Sequence, residues 1–161
     1  MALGCAGTKV NPRLHGWLNS ERVSDVAWVV DTCVVIDILE ADSRFGKSSA
    51  EKLESLLGDG LVICPVTMVE LSPAFGGDLS AQKAFLNLCG FDYGQSFLLP
   101  DIEAAHSAWN QCIVSRRSGK TAKRPVADIM IGAFAQRFQG LVTRNAIDFM
   151  PWFPLLVIVE P

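Results

Sequence analysis

A chain of 161 residues, half of them hydrophobic and 19% charged, is long enough to bury one sizeable core and too apolar for general disorder. Its five cysteines, Cys5, Cys33, Cys64, Cys89 and Cys112, are scattered and never spaced as C-x-x-C, so neither a disulfide framework nor a cysteine zinc site is expected. No apolar run approaches the roughly 20 residues of a membrane span, and a net charge of −3 gives by itself no reason to expect a nucleic-acid partner.

Reduced thiols and the absence of a span lead us to expect a cytoplasmic protein without membrane contact. The opening Met1-Ala2-Leu3-Gly4-Cys5 resembles a lipoprotein cleavage box but has no basic or apolar segment before the cysteine. Residues 1–25 are aperiodic and polar around Pro12 and Gly16, and are read as an N-terminal extension to a domain spanning 26–161.

From there, short β-branched runs alternate with segments of helical period. Strands are expected at 26–30, 61–66, 141–143 and 155–159, with a weaker one near 97–99. Helices are expected at 33–40, 47–57, 68–71, 79–89, 102–116 and 126–137. Alternation of this kind predicts an α/β fold, with a central parallel sheet covered by helices on both faces. No internal repeat or low-complexity tract marks a second domain.

In such a sheet, function concentrates beyond the carboxyl ends of the strands. Asp31 directly follows Ala27-Trp28-Val29-Val30, Glu70 follows the second strong strand, and Asp148 follows the third. Asp128 opens the nearly all-apolar helix Pro125-Val126-Ala127-Asp128-Ile129-Met130-Ile131-Gly132-Ala133-Phe134-Ala135, where a buried acid needs a partner. Taken singly, each acid also fits a helix cap or a solvated surface position. Together, at one sheet edge, they read as a site.

Two carboxylates about 5 Å apart repel by roughly 3 kcal/mol at an effective dielectric near 20, so such a cluster calls for protons or cations. Oxygen ligands without His or Cys select a hard ion, Mg²⁺ or Mn²⁺, and sites of that kind serve phosphate chemistry. One or two ions would activate water and neutralise charge in phosphodiester hydrolysis. His15 falls in the extension and His106 within a predicted helix, and neither belongs to a motif.

Four segments carry a family resemblance: Val29-Val30-Asp31-Thr32, Thr67-x-x-Glu70-Leu71, Ala127-Asp128-x-x-Ile131-Gly132-Ala133, and Leu141-Val142-Thr143-Arg144-Asn145-x-x-Asp148-Phe149. In this order and at this spacing they resemble the PIN-domain family, in particular its VapC-like toxins of type II toxin–antitoxin pairs. The resemblance covers residues 28–159. It implies a three-layer α/β/α sandwich and an endoribonuclease that uses Mg²⁺ or Mn²⁺. Asp31, Glu70, Asp128 and Asp148 would be the metal ligands and catalytic acids.

The same resemblance implies supporting roles for Thr32, Thr143 and Asn145, with Thr143 hydrogen-bonded to the carboxylates and Asn145 fixing the loop that carries Asp148. It further implies a homodimer and a small antitoxin partner that presents a positive group to the acidic pocket. Cys33 departs from the family, which usually has Asn or Ser there; the cysteine loses a strong polar group beside Asp31, which would weaken the site or admit thiol oxidation.

Five of the 14 basic residues, Arg116, Arg117, Lys120, Lys123 and Arg124, fall in one nine-residue stretch just before Asp128. They are candidate contacts to an RNA backbone, as is Arg144, and a solvated loop is the alternative. Trp109, Phe85 and Trp152 fit either an interface or the core. Two other functions remain open at this point. One is a PIN-like scaffold that binds nucleic acid or protein without cutting. The other is a haloacid-dehalogenase-like phosphatase, which expects a second acid where this chain has Cys33.

Overall fold

The computed structural model describes residues 26–118 and 125–161. The expected extension, residues 1–25, lies outside them, as do Lys120, Lys123 and Arg124 of the basic stretch.

Within the described residues the chain is an α/β protein with a five-stranded, all-parallel sheet in the order β3-β2-β1-β4-β5. The strands are β1 Trp28–Val30, β2 Leu61–Ile63, β3 Phe91–Asp92, β4 Gly140–Val142 and β5 Ile158–Val159. The helices are α1 Thr32–Leu39, α2 Gly46–Leu56, α3 Pro65–Glu70, α4 Leu79–Leu88, α5 Leu99–Arg117, α6 Val126–Ala135 and α7 Ala146–Phe149. A 3-10 turn, Ser72–Phe75, joins α3 to α4.

Side chains alternate between faces along a strand, and this sorts the core into layers. Trp28, Val30, Leu61 and Ile63 pack with Val34 and Val35 of α1, Leu53 of α2 and Leu86 of α4. Val29, Val62 and Leu141 face the opposite way, onto Ile131, Phe134 and Ala135 of α6 and Phe149 of α7. Helix α5 covers α6 from outside through Ala105, Ala108 and Cys112. The result is a three-layer α/β/α sandwich. Trp109 and Trp152 are partly buried in that outer layer and Phe85 against the first face.

Helix α6 approaches its neighbours closely because of Gly132, where a Cβ would lie 2.5 Å from two atoms of the Phe153 ring. Among the described residues no helix is long and apolar enough to cross a membrane.

Several expected boundaries move. The run at 61–66 stops at Ile63 because Pro65 opens α3, whose first turn needs no N–H from it. The run at 155–159 pairs only at Ile158–Val159, since the preceding residues turn around Phe153. The weak strand expected near 97–99 does not form. The third strand is instead Phe91–Asp92, reached through Gly90 at φ 75°, a left-handed conformation that suits glycine. Phe97 stacks edge-on against Phe134 at 5.3 Å, and α5 begins at Leu99, where the Asp101 carboxylate accepts the Leu98 N–H at 2.9 Å.

Candidate functional site

The chain runs outward from β1 through β2 to β3, then returns to β4 on the other side of β1. The order of winding therefore reverses between β1 and β4, the place where open parallel sheets bind ligands beyond the strand ends. Register sets the level there: Val30 lies opposite both Ile63 and Val142, so Asp31, Cys64 and Thr143 are the next residues along three adjacent strands. The Asp31 N–H extends the ladder to the Val142 carbonyl at 3.0 Å.

Asp31 is the N-cap of α1 and is 6% exposed. Three donors meet its carboxylate. The Thr32 N–H reaches Oδ1 at 2.7 Å, the Thr143 hydroxyl reaches Oδ2 at 2.6 Å, and the Cys33 thiol reaches Oδ2 at 3.2 Å. The amino end of α1 adds a favourable dipole. Thr143 is fully buried and its Oγ1 accepts the Asn145 N–H at 3.0 Å, so the hydroxyl proton is directed at Asp31.

Thr32 also donates its hydroxyl to Oε2 of Glu70, the last residue of α3. One residue thus contacts both acids, the backbone of Thr32 serving Asp31 and its side chain serving Glu70. Thr32 and Thr143 thus each hydrogen-bond a candidate carboxylate. For Asn145, the main chain does the fixing: its N–H holds Thr143 and its carbonyl accepts the Asp148 N–H at 2.9 Å.

The Cys33 thiol stands where the family usually has Asn or Ser and gives Asp31 a weak donor in place of a strong one. Burial, and then the charge of Asp31, push its pKa up to about 11, so it keeps its proton near neutral pH.

Asp128 sits in the first turn of α6, and Asp148 in α7, both half-buried. Helix α6 leads by a short connection into the start of β4, so its first turn lies at the carboxyl edge of the sheet. Helix α7 begins just past the end of β4, at that same edge. Helix α6 packs against both α3 and α7, the elements that carry Glu70 and Asp148. All four acids therefore belong to one edge, with Asp31 and Glu70 tied together through Thr32.

Among the described residues no group of three or more His, Cys, Asp or Glu side chains is arranged to hold a metal ion. The donor chemistry suits a hydrated Mg²⁺, which keeps several waters and takes one or two carboxylates with substrate phosphate oxygens. It does not form a closed protein cage.

Of the basic residues, Arg116 is half-buried and Arg117 exposed, both in the last turn of α5, where positive charge also complements the helix dipole. Arg144 is engaged inside the protein. Its Nε lies 2.8 Å from Oδ2 of Asp37, and its Cζ 4.2 Å from the centre of the Phe45 ring.

Asp37 is the residue that reading by motif missed. It is 2% exposed and also accepts the Ser49 hydroxyl at 2.7 Å. The available signal was an acid inside the otherwise apolar stretch Val34-Val35-Ile36-Asp37-Ile38-Leu39, which demands a partner. His106 is exposed on α5 at the rim of a shallow apolar cavity of about 460 Å³ formed with Ile102, Trp109 and Val126. Comparison of the chain with family models, with curated proteins and with solved structures gave no match.

Proposed function

We propose that this chain is a Mg²⁺- or Mn²⁺-dependent endoribonuclease of the PIN-domain type, similar to the VapC-like toxins. The observation that carries the reading is Asp31: a buried acid at the reversal point of the sheet, held by Thr143, Thr32 and Cys33 and joined through Thr32 to Glu70.

Buried carboxylates are held this firmly where their direction matters, because three donors fix both oxygens without neutralising the charge. Asp31, Glu70, Asp128 and Asp148 would hold the ion, each directly or through water. The ion would supply charge neutralisation on the scissile phosphate and lower the pKa of the attacking water. Thr143 and Thr32 keep the two carboxylates aimed, and Arg116 and Arg117, with the adjoining Lys120, Lys123 and Arg124, are placed in sequence to meet an RNA backbone. The resemblance extends the proposal to a cytoplasmic homodimer held in check by a small antitoxin.

A second reading is a PIN-like scaffold that binds without cutting, favoured by the lack of a ready three-acid group among the described residues. The phosphatase reading lacks an acid at position 33 and has only a thiol there.

The deciding experiment is cleavage of total RNA by purified, folded protein with Mg²⁺, Mn²⁺ or EDTA, beside Asp31→Asn and Asp128→Asn. Metal-dependent cutting that both substitutions abolish supports the nuclease. A folded, inhibitor-free protein that cuts under none of these conditions leaves the scaffold as the better reading.

A further inference from the structure

We infer that Arg144 is a positioning residue of the candidate site rather than an RNA contact: paired with Asp37 and stacked on Phe45, it fixes the segment Thr143 to Asn145 that delivers a hydroxyl to Asp31. The activity arm of this inference rests on the nuclease reading, whereas its structural arm stands apart from it.

The segment after β4 is attached to α1 at two points. Thr143 reaches Asp31 at the amino end of α1, and Arg144, the very next residue, reaches Asp37 further along the same helix. Adjacent residues anchored to one rigid helix cannot slide or rotate independently. The hydroxyl of Thr143 is therefore fixed from within by the Asn145 N–H and from outside by the Arg144 pair.

The receptor for Arg144 is itself built. Asp37 Oδ2 takes both the Ser49 hydroxyl and the Arg144 charge, which relieves the burial of this carboxylate. Phe45 is set in the turn between α1 and α2 by Asp42, whose Oδ1 accepts the N–H groups of Arg44 at 2.8 Å and Phe45 at 2.7 Å. Those two N–H groups hold the Asp42 carboxyl below its usual pKa.

Gly46 then lets the turn close on α1, since a Cβ there would lie 3.0 Å from the Asp37 carbonyl oxygen. The guanidinium consequently has one face on an aromatic ring and its Nε against a buried acid, with its side chain 27% exposed. A guanidinium that grips phosphate needs its planar fork free for two parallel hydrogen bonds. Here the Nε edge of that plane is taken by Asp37 and one face by Phe45.

The test uses Arg144→Met, Asp37→Asn and the double variant in the full chain, each first shown to be folded. Kinetics are measured on a short RNA with Mg²⁺ at several salt concentrations, and amide exchange is followed across residues 143–149. The double variant leaves no uncompensated charge at the pair, which keeps the test open should Arg144→Met alone fail to fold.

A positioning role predicts that kcat falls on the order of 100-fold in either single variant, with KM and its salt dependence unchanged. It also predicts that the double variant is no worse than the singles, and that exchange speeds up in this segment ahead of the rest of the protein. A rise in KM and a shallower salt slope in Arg144→Met alone, with Asp37→Asn unaffected, would mark a phosphate contact and overturn the inference. Unchanged exchange across the segment in Asp37→Asn and the double variant would overturn it as well. Should the wild type cut no RNA, the nuclease reading fails, and exchange alone decides whether Arg144 holds the segment.

Discussion

Thr143 donates its hydroxyl to Asp31 at 2.6 Å, across 112 positions of sequence and between two strands that lie side by side in the sheet. This single bond closes the edge of the sheet at the point where its winding reverses, because both residues are the first beyond their strands. The hydroxyl is fully buried, so water cannot replace it if it is lost.

Thr143→Val keeps the shape of the side chain but removes the donor to Asp31 and the acceptor for the Asn145 N–H. We expect a loss of about 1–3 kcal/mol in urea unfolding, together with a marked fall in cleavage. Thr143→Ser, which retains the hydroxyl, should recover most of both. Equal stability of the valine and serine variants would show that the buried bond contributes nothing.

Ligand binding to the folded state alone must raise its stability. If the four acids hold an ion, Mn²⁺ at about 100 times its Kd stabilises the fold by about 2.7 kcal/mol, raising Tm by roughly 5–10 °C in a chain of this size. EDTA should reverse the shift, and Asp31→Asn should abolish most of it. A Tm indifferent to Mn²⁺ in the wild type would remove the metal from the proposal.

The buried thiols make the fold sensitive to alkali. Burial pushes Cys64 up to about 12 and Cys33, with help from the Asp31 charge, to about 11, against 9.0 for an unperturbed thiol. Above pH 9 the unfolded chain releases these protons while the folded chain keeps them. The unfolded state then binds fewer protons, so stability falls as pH rises, by up to about 1.4 kcal/mol per pH unit for each thiol. The fall runs to about pH 11 for Cys33 and about pH 12 for Cys64. Urea unfolding between pH 9 and 11 should show a shallower decline in Cys64→Ala than in the wild type, whereas parallel declines would show that this thiol ionises normally.

Gly132→Ala tests the close packing of α6. Alanine is the better helix former by about 1 kcal/mol, but its Cβ would sit 2.5 Å from the Phe153 ring and 3.2 Å from Phe149. We expect a net loss of about 1–3 kcal/mol from overpacking. Gly58→Ala, where a Cβ meets nothing within 4 Å, serves as the control and should be near neutral in the same denaturant titration.

Sequence by itself determined the fold class and the edge at which the acids fall. Alternating short apolar runs and helical segments admit few arrangements other than a parallel sheet with covered faces; Asp31 follows its strand directly, and Glu70 and Asp148 lie in the helices that come next after theirs. Tertiary structure decided the rest. The strand Phe91–Asp92 is two residues long and has no periodicity to detect, so only its pairing with Leu61 and Val62 defines it. The roles of Thr32 as a link between Asp31 and Glu70, of Cys33 as a donor, and of Arg144 as the partner of Asp37 depend on where side chains point once distant segments are packed together. Sequence spacing fixes a residue's place along its own element, but the partner of a buried polar group is chosen by packing between elements, where leaving it unpaired costs the most.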